Sequence, residues 1–187
     1  KDSYFVEKMV VGFLSEPNVG IVSPTVTPVE AATLFEKVIN SSVVFKKRIF
    51  ESFNNQKNIY LCHGRARAFS KEFLNEFRWE NVVCEDAYSY LHCLKNGYEF
   101  NYVKDAEIQY RSPQNLGDHL KQSLRFNSGR QHLENTFGKN FVSNQFKIPT
   151  FIVLRNWIEY VLRNPLYSIA FFSVFLLTRV MMMWENR

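Results

Sequence analysis

The segment that most restricts the fold is the last one. Leu166 to Trp184 spans nineteen residues and is apolar apart from a few hydroxyls and Arg179, close to the roughly 20 residues that cross a bilayer as a helix. Arg179 stands toward one end, where a long side chain reaches the interface. Such a segment is either a membrane-inserted or membrane-surface helix or the buried C-terminal helix of a soluble core, and the first is expected. Just before it, Phe151, Leu154, Trp157, Ile158, Val161 and Leu162 recur at helical spacing opposite Arg155, Glu159 and Arg163, until Asn164-Pro165 breaks the pattern. Residues 149–187 therefore read as an amphipathic helix and a membrane-seeking helix appended to a globular part, residues 1–148. Arg155 and Arg163 would keep that part on the cytoplasmic face.

The remainder has enough apolar material for one core. Hydrophobic residues make up 46% and charged residues 22% of the 187, which excludes disorder. The net charge of +5 suits an anionic partner, whether a sugar-nucleotide diphosphate, a lipid phosphate, a membrane surface or nucleic acid. The basic residues are scattered without an RNA-binding aromatic signature, so nucleic acid is not expected. Three cysteines without Cys-x-x-Cys spacing point to free thiols, Cys62 and Cys93 as core residues. His63, His92, His119 and His132 lack metal-ligand spacing, so each is expected in the core or on the surface.

Along the chain, a helix over roughly Ser3 to Leu14 precedes a buried strand, Val19 to Ser23. Thr27-Pro28-Val29-Glu30 has the form of a capping box and predicts a helix starting there, with Ala31, Leu34, Phe35, Val38 and Ile39 on one face. After the polar loop 54–58, Ile59 to Cys62 reads as a second strand stopped by His63-Gly64. A short helix follows from Ser70. Glu85-Asp86 open another helix, which ends at Asn96-Gly97. Phe100 to Val103 and Glu107 to Tyr110 are strand candidates, with Asp105-Ala106-Glu107 as a turn. Asn115 caps a helix through Gln122 and Arg125 toward Leu133. Alternating strands and helices predict an α/β layered fold.

Two segments could carry chemistry. Asp86 at a helix N-terminus faces unpaired amides and the positive end of the dipole, which favour a carboxylate able to accept a proton from a hydroxyl. Gln122 and Arg125 are three apart on one helix, so an amide and a guanidinium can converge on one anion such as a diphosphate. Each also has a plain structural reading: Glu85-Asp86 as a helix cap, Gln122 and Arg125 as a solvated face, Gly64 as a turn.

In order, Val19-Gly20-Ile21-Val22, Gly64-Arg65-Ala66-Arg67, Glu85-Asp86, Asn96-Gly97 with Tyr102-Val103-Lys104-Asp105-Ala106, and Gln122-Ser123-Leu124-Arg125-Phe126 resemble the second half of family 2 glycosyltransferases. The resemblance covers residues 1 to about 135. It implies a Rossmann-like GT-A domain with a mixed sheet, represented by its acceptor-side half, and an inverting transfer of a sugar from a nucleotide-sugar donor to a polysaccharide or lipid-linked acceptor. It assigns Asp86 as general base with Glu85 beside it. Gln122 and Arg125 become the diphosphate grip, and Gly64, Arg65, Arg67 and Phe126 line the substrate site. Phe126 stands where the family usually has tryptophan, keeping an aromatic face without the indole donor. The family's Mg²⁺ or Mn²⁺ would be held by an Asp-x-Asp expected upstream of Lys1, so this chain alone is expected to be inactive. The competing expectation is a non-catalytic, membrane-anchored module that binds glycans or lipid phosphates.

Overall fold

A computed structural model describes residues 3–79 and 82–185. Its sheet is mixed, with strand order β2-β1-β3. The central strand β1 (Val19–Pro28) runs antiparallel to β2 (Ala68–Phe69) and parallel to β3 (Glu99–Tyr110). The rest is mostly helical.

β1 is buried on both sides, as a continuous apolar run demands. Ile21 faces the main core and Val22 faces helix α1 (Phe5–Leu14). Gly12 lets α1 lie flat on the sheet: a Cβ there would come within 2.5 Å of Val103 and 2.9 Å of Val22. The main core gathers Phe73 of α3 (Lys71–Glu76) and Phe77 just past its end, Tyr88, Tyr90 and Leu91 of α4 (Glu85–Lys95), Phe100 of β3 and Leu133 of α5 (Leu116–Phe137). Val142 joins it from α6 (Lys139–Gln145). This aromatic interior accounts for much of the phenylalanine usage.

Several sequence expectations hold. Ser70 caps α3 by accepting from the amide of Phe73, and Asn115 caps α5 by accepting from that of Asp118. Helix α4 opens at Glu85 and is followed by Gly97 at φ 78°. All three cysteines are buried free thiols.

Others are corrected. The Thr27 box does not start a helix. Thr25, Val26 and Thr27 are β-branched and pair with Glu107, Ile108 and Gln109, which carries β1 on to Pro28. Helix α2 (Leu34–Glu51) starts six residues later at an identical box, where the Thr33 hydroxyl accepts from the Glu36 amide. Glu36, fully buried, accepts from the Ala32 amide at 2.7 Å and from Arg111 at 3.2 Å. Ile59–Leu61 is a 3-10 turn rather than a strand. Its Tyr60 stacks on Phe50 at 4.5 Å, and the sheet position beside β1 belongs to Ala68 and Phe69. The two strand candidates after α4 are one strand. Register jumps from Pro24↔Val103 to Thr25↔Glu107, so Asp105-Ala106 sits in a bulge instead of a turn, held by the Thr25 hydroxyl donating to the Lys104 carbonyl at 2.8 Å.

Helix α7 (Thr150–Arg163) packs Ile152 and Tyr160 on Phe45 and Ile49 of α2, with Phe45 and Tyr160 stacked at 4.8 Å. Its Phe151, Leu154, Ile158 and Leu162 remain exposed. Helix α8 (Pro165–Glu185) starts at once after the Asn164 break. Only 22% of its apolar window is buried, so it is not the core helix of this fold.

Candidate active site

The candidate site is assembled by three pieces of chain meeting at the mouth of α4. The first is the loop 63–67. Buried Ser23 of β1 anchors it at both ends, its hydroxyl accepting from the His63 amide at 3.1 Å and donating to the Ala66 carbonyl at 3.3 Å. The second is the first turn of α4. Asp86 is half-buried and Glu85 exposed; one Asp86 carboxylate oxygen, Oδ1, accepts from the adjacent Ala87 amide at 2.9 Å. The Asp86 carbonyl accepts from the Ser89 hydroxyl at 3.0 Å and from the Cys62 thiol at 3.7 Å, which ties the start of α4 to the residue before the loop.

The other oxygen, Oδ2, borders Gly64. A Cβ on Gly64 would stand 3.4 Å from Asp86 Oδ2 and 3.5 Å from Arg67 Nη1. Gly64 does not sit in the left-handed region, unlike Gly97 and Gly138. Its role is therefore to leave room over a carboxylate and a guanidinium rather than to permit a special turn.

Arg67 turns inward, over the rings of Phe69 at 5.5 Å and Trp79 at 5.7 Å. Its Nε and Nη1 are buried and have no hydrogen-bond partner among the described residues. A desolvated cation with unsatisfied donors is costly unless an anion completes it. Arg65 is exposed and seated over the Tyr110 ring at 3.8 Å.

The third piece is α5. The Cys84 thiol donates to the Arg125 carbonyl at 3.8 Å, and Gly129 lies flush against Cys84, where a Cβ would come within 2.2 Å of the sulfur. This seam brings the Arg125 turn of α5 to the residue that precedes Glu85 and Asp86. Gln122, one turn earlier, is half-buried, and Phe126 is 52% exposed.

Burial, together with the charges of Arg65 and Lys47, pushes the His63 imidazole down to about 4, against the smaller opposing pull of Asp86. His63 is thus neutral at pH 7. Burial raises the Cys62 and Cys84 thiols above their usual range, so neither is a thiolate at that pH.

Sequence reasoning missed three contributors. Ser23 is a polar residue inside an apolar strand, Gly129 is a glycine inside a helix, and His63 adjoins Gly64; the first two are recognisable signs of a tie and a close approach. Two cavities, of about 340 Å³ among α2, α7 and α8 and about 430 Å³ beside Lys57 and Glu99, do not border Asp86. Among the described residues no three His, Cys, Asp or Glu side chains gather as metal ligands. The meeting point can take a proton from a hydroxyl and hold an anion beside it.

The family model described as Glycosyl transferase family group 2 matches residues 2–185. Comparison with curated proteins finds no match.

Proposed function

The chain belongs to glycosyltransferase family group 2, and from that membership we propose that it carries the acceptor side of a GT-A hexosyltransferase acting at the cytoplasmic face of a membrane. The donor is a nucleotide sugar and the acceptor a polysaccharide or lipid-linked glycan of the cell envelope.

The observation that carries this reading is the juxtaposition of Asp86 with Gly64 and Arg67 at the mouth of α4, against which the Arg125 turn is seated. In the proposed step Asp86 accepts the proton of the acceptor hydroxyl as its oxygen bonds to the anomeric carbon. The bond from that carbon to the diphosphate oxygen breaks, and the electron pair leaves with the nucleoside diphosphate. Attack in line with departure inverts the anomeric centre. Gln122 and Arg125 stabilise the charge developing on the diphosphate, Phe126 offers an aromatic face, and Arg65 and Arg67 hold acceptor-side groups above Gly64. Glu85 opens α4 and keeps a second negative charge at its N-terminus. The family's Mg²⁺ or Mn²⁺ supplies charge neutralisation at the diphosphate when bound. The described residues do not form a ligand set for it.

Membrane attachment rests on α8, whose Pro165–Trp184 window has a mean hydropathy of 1.8 and is largely exposed. Tyr167 and Trp184 near its two ends suit interfacial levels, and Arg155 and Arg163 before it favour a cytoplasmic catalytic part.

The deciding experiment is Asp86→Asn in the full-length protein. Transfer should fall by about 10²–10⁴-fold with donor affinity, measured calorimetrically, unchanged within about twofold. Turnover at the wild-type rate removes Asp86 as the base. Absence of any nucleotide-sugar turnover in the wild type would favour a binding module.

A further inference from the structure

We propose that the cavity among α2, α7 and α8 seats the phosphodiester headgroup of an anionic membrane phospholipid, an inference that rests on the membrane reading of α8. The cavity, about 340 Å³, takes Lys37, Ser41 and Arg48 from α2, Asn156 and Tyr160 from α7 and Tyr167 from the first turn of α8. That volume lies at the small end of ligand pockets, the size of a headgroup rather than of a whole nucleotide sugar.

Its charge selects an anion. Lys37 is exposed and makes no ion pair among the described residues. Arg48 pairs with Glu159 at 3.3 Å, and the same carboxylate pairs with Arg163 at 3.0 Å. The charged side chains that line the cavity are thus Lys37 and Arg48, with no carboxylate among the lining residues. The Ser41 and Tyr160 hydroxyls, joined at 2.7 Å, add polar atoms that can bond phosphodiester oxygens or headgroup hydroxyls.

Its position selects a lipid over free phosphate. Asn164 and Tyr167 line the cavity at the point where the apolar window starts, the level at which headgroups sit if α8 is inserted. Leu166, Ile169 and Phe172 continue from there as exposed apolar surface. Acyl chains can lie along it while the phosphate remains beside Lys37. The exposed ridge of α7, Phe151, Leu154, Ile158 and Leu162, gives the neighbouring helix an apolar side suited to the same interface.

The test uses the full chain in a neutral detergent, titrated with dihexanoyl phosphatidylglycerol, dihexanoyl phosphatidylcholine or inorganic phosphate while Tm is followed. Phosphatidylglycerol should raise Tm saturably, with an apparent Kd at least about tenfold below that for phosphatidylcholine, and phosphate at the same concentrations should leave Tm unchanged. Lys37→Ala, at an exposed unpaired side chain, should weaken phosphatidylglycerol about five- to tenfold without altering the ligand-free Tm, and Lys37→Ala/Arg48→Ala should erase the difference between the two lipids. Equal response to both lipids, saturation by inorganic phosphate alone, or full selectivity in Lys37→Ala would each overturn the headgroup site. Flotation with neutral phosphatidylcholine vesicles separates the two readings. A chain that floats but ignores headgroup charge loses only this proposal, whereas one that does not float loses the membrane reading as well.

Discussion

Gly64 and Asp86 meet so closely that a methyl group on the glycine would stand 3.4 Å from the carboxylate oxygen Oδ2. The contact is too loose to break the fold and close enough to cover the oxygen. Gly64→Ala should therefore leave Tm within about 2 °C of wild type while lowering kcat/KM for acceptor about 10- to 100-fold, the scale set by misplacing reacting groups by about 1 Å. Unchanged acceptor kinetics in a folded variant would separate Gly64 from the site.

Ser23 fastens the same loop from below. Ser23→Ala removes the acceptor of the His63 amide and the donor to Ala66 without changing the strand's shape. Leaving a partly buried amide and carbonyl unpaired should cost about 1 kcal/mol, seen in chemical denaturation. Faster amide exchange at His63 should accompany it; exchange as slow as in wild type would mean the loop is held by other contacts.

His63 sets a pH dependence. Its folded value, about 4, lies below the ordinary 6.5, so the unfolded chain binds more protons between those values. Stability is then fully present above about pH 6.5 and is lost as pH falls through that window toward 4. Partial exposure limits the contribution to something of order 2 kcal/mol. His119 is shifted in the same direction by burial and Lys46, so His63→Gln should flatten the acid limb of stability against pH without abolishing it. An unaltered limb would show that His63 is protonated freely in the folded state.

How far the sequence revealed this arrangement depends on the range of the interactions. Helices α3, α4 and α5 begin or end on signals a few residues long, Ser70, Asn115 and Asn96-Gly97, and those signals are satisfied locally. The two Thr-x-x-Glu boxes, at Thr27 and at Thr33, are locally equivalent. Pairing of β1 with Glu107 to Tyr110 and the buried Glu36–Arg111 contact decide between them, and both come from more than 70 residues away. The same holds for the site. Asp86, Arg125 and Gly64 could be picked out as residue types at suggestive positions, but the seams that join them run through Ser23, Cys62, Cys84 and Gly129, whose partners lie far away in the sequence.

The buried carboxylate of Glu36 should be the most sensitive point of α2. It accepts from the Ala32 amide and from Arg111, while Arg111 itself is half exposed and can return to water. Glu36→Gln keeps the shape but loses the charge-assisted bonds. It should cost about 1–3 kcal/mol, and Thr33→Ala about 1 kcal/mol through the lost cap, both by thermal melts. A Glu36→Gln variant as stable as wild type would show that the charge on this buried carboxylate adds nothing to stability.

Gly129 tests whether the α4–α5 seam matters to chemistry. A Cβ at this position would lie 2.2 Å from the Cys84 sulfur, closer than real Cβ atoms approach, and 3.0 Å from its Cβ, a tight contact. Gly129→Ala should therefore push α5 off Cys84 and shift the Arg125 turn relative to the mouth of α4. The expected outcome is a loss of about 1–3 kcal/mol from overpacking with a disproportionate fall in donor affinity, because Gln122 and Arg125, proposed to hold the diphosphate, both ride on α5. Cys84→Ala in the same chain removes the 2.2 Å clash and leaves the 3.0 Å one, so stability and donor affinity should return together and only in part. Recovery of stability with donor affinity still lost would mean that Gly129 acts on the donor site by a route other than its packing on Cys84.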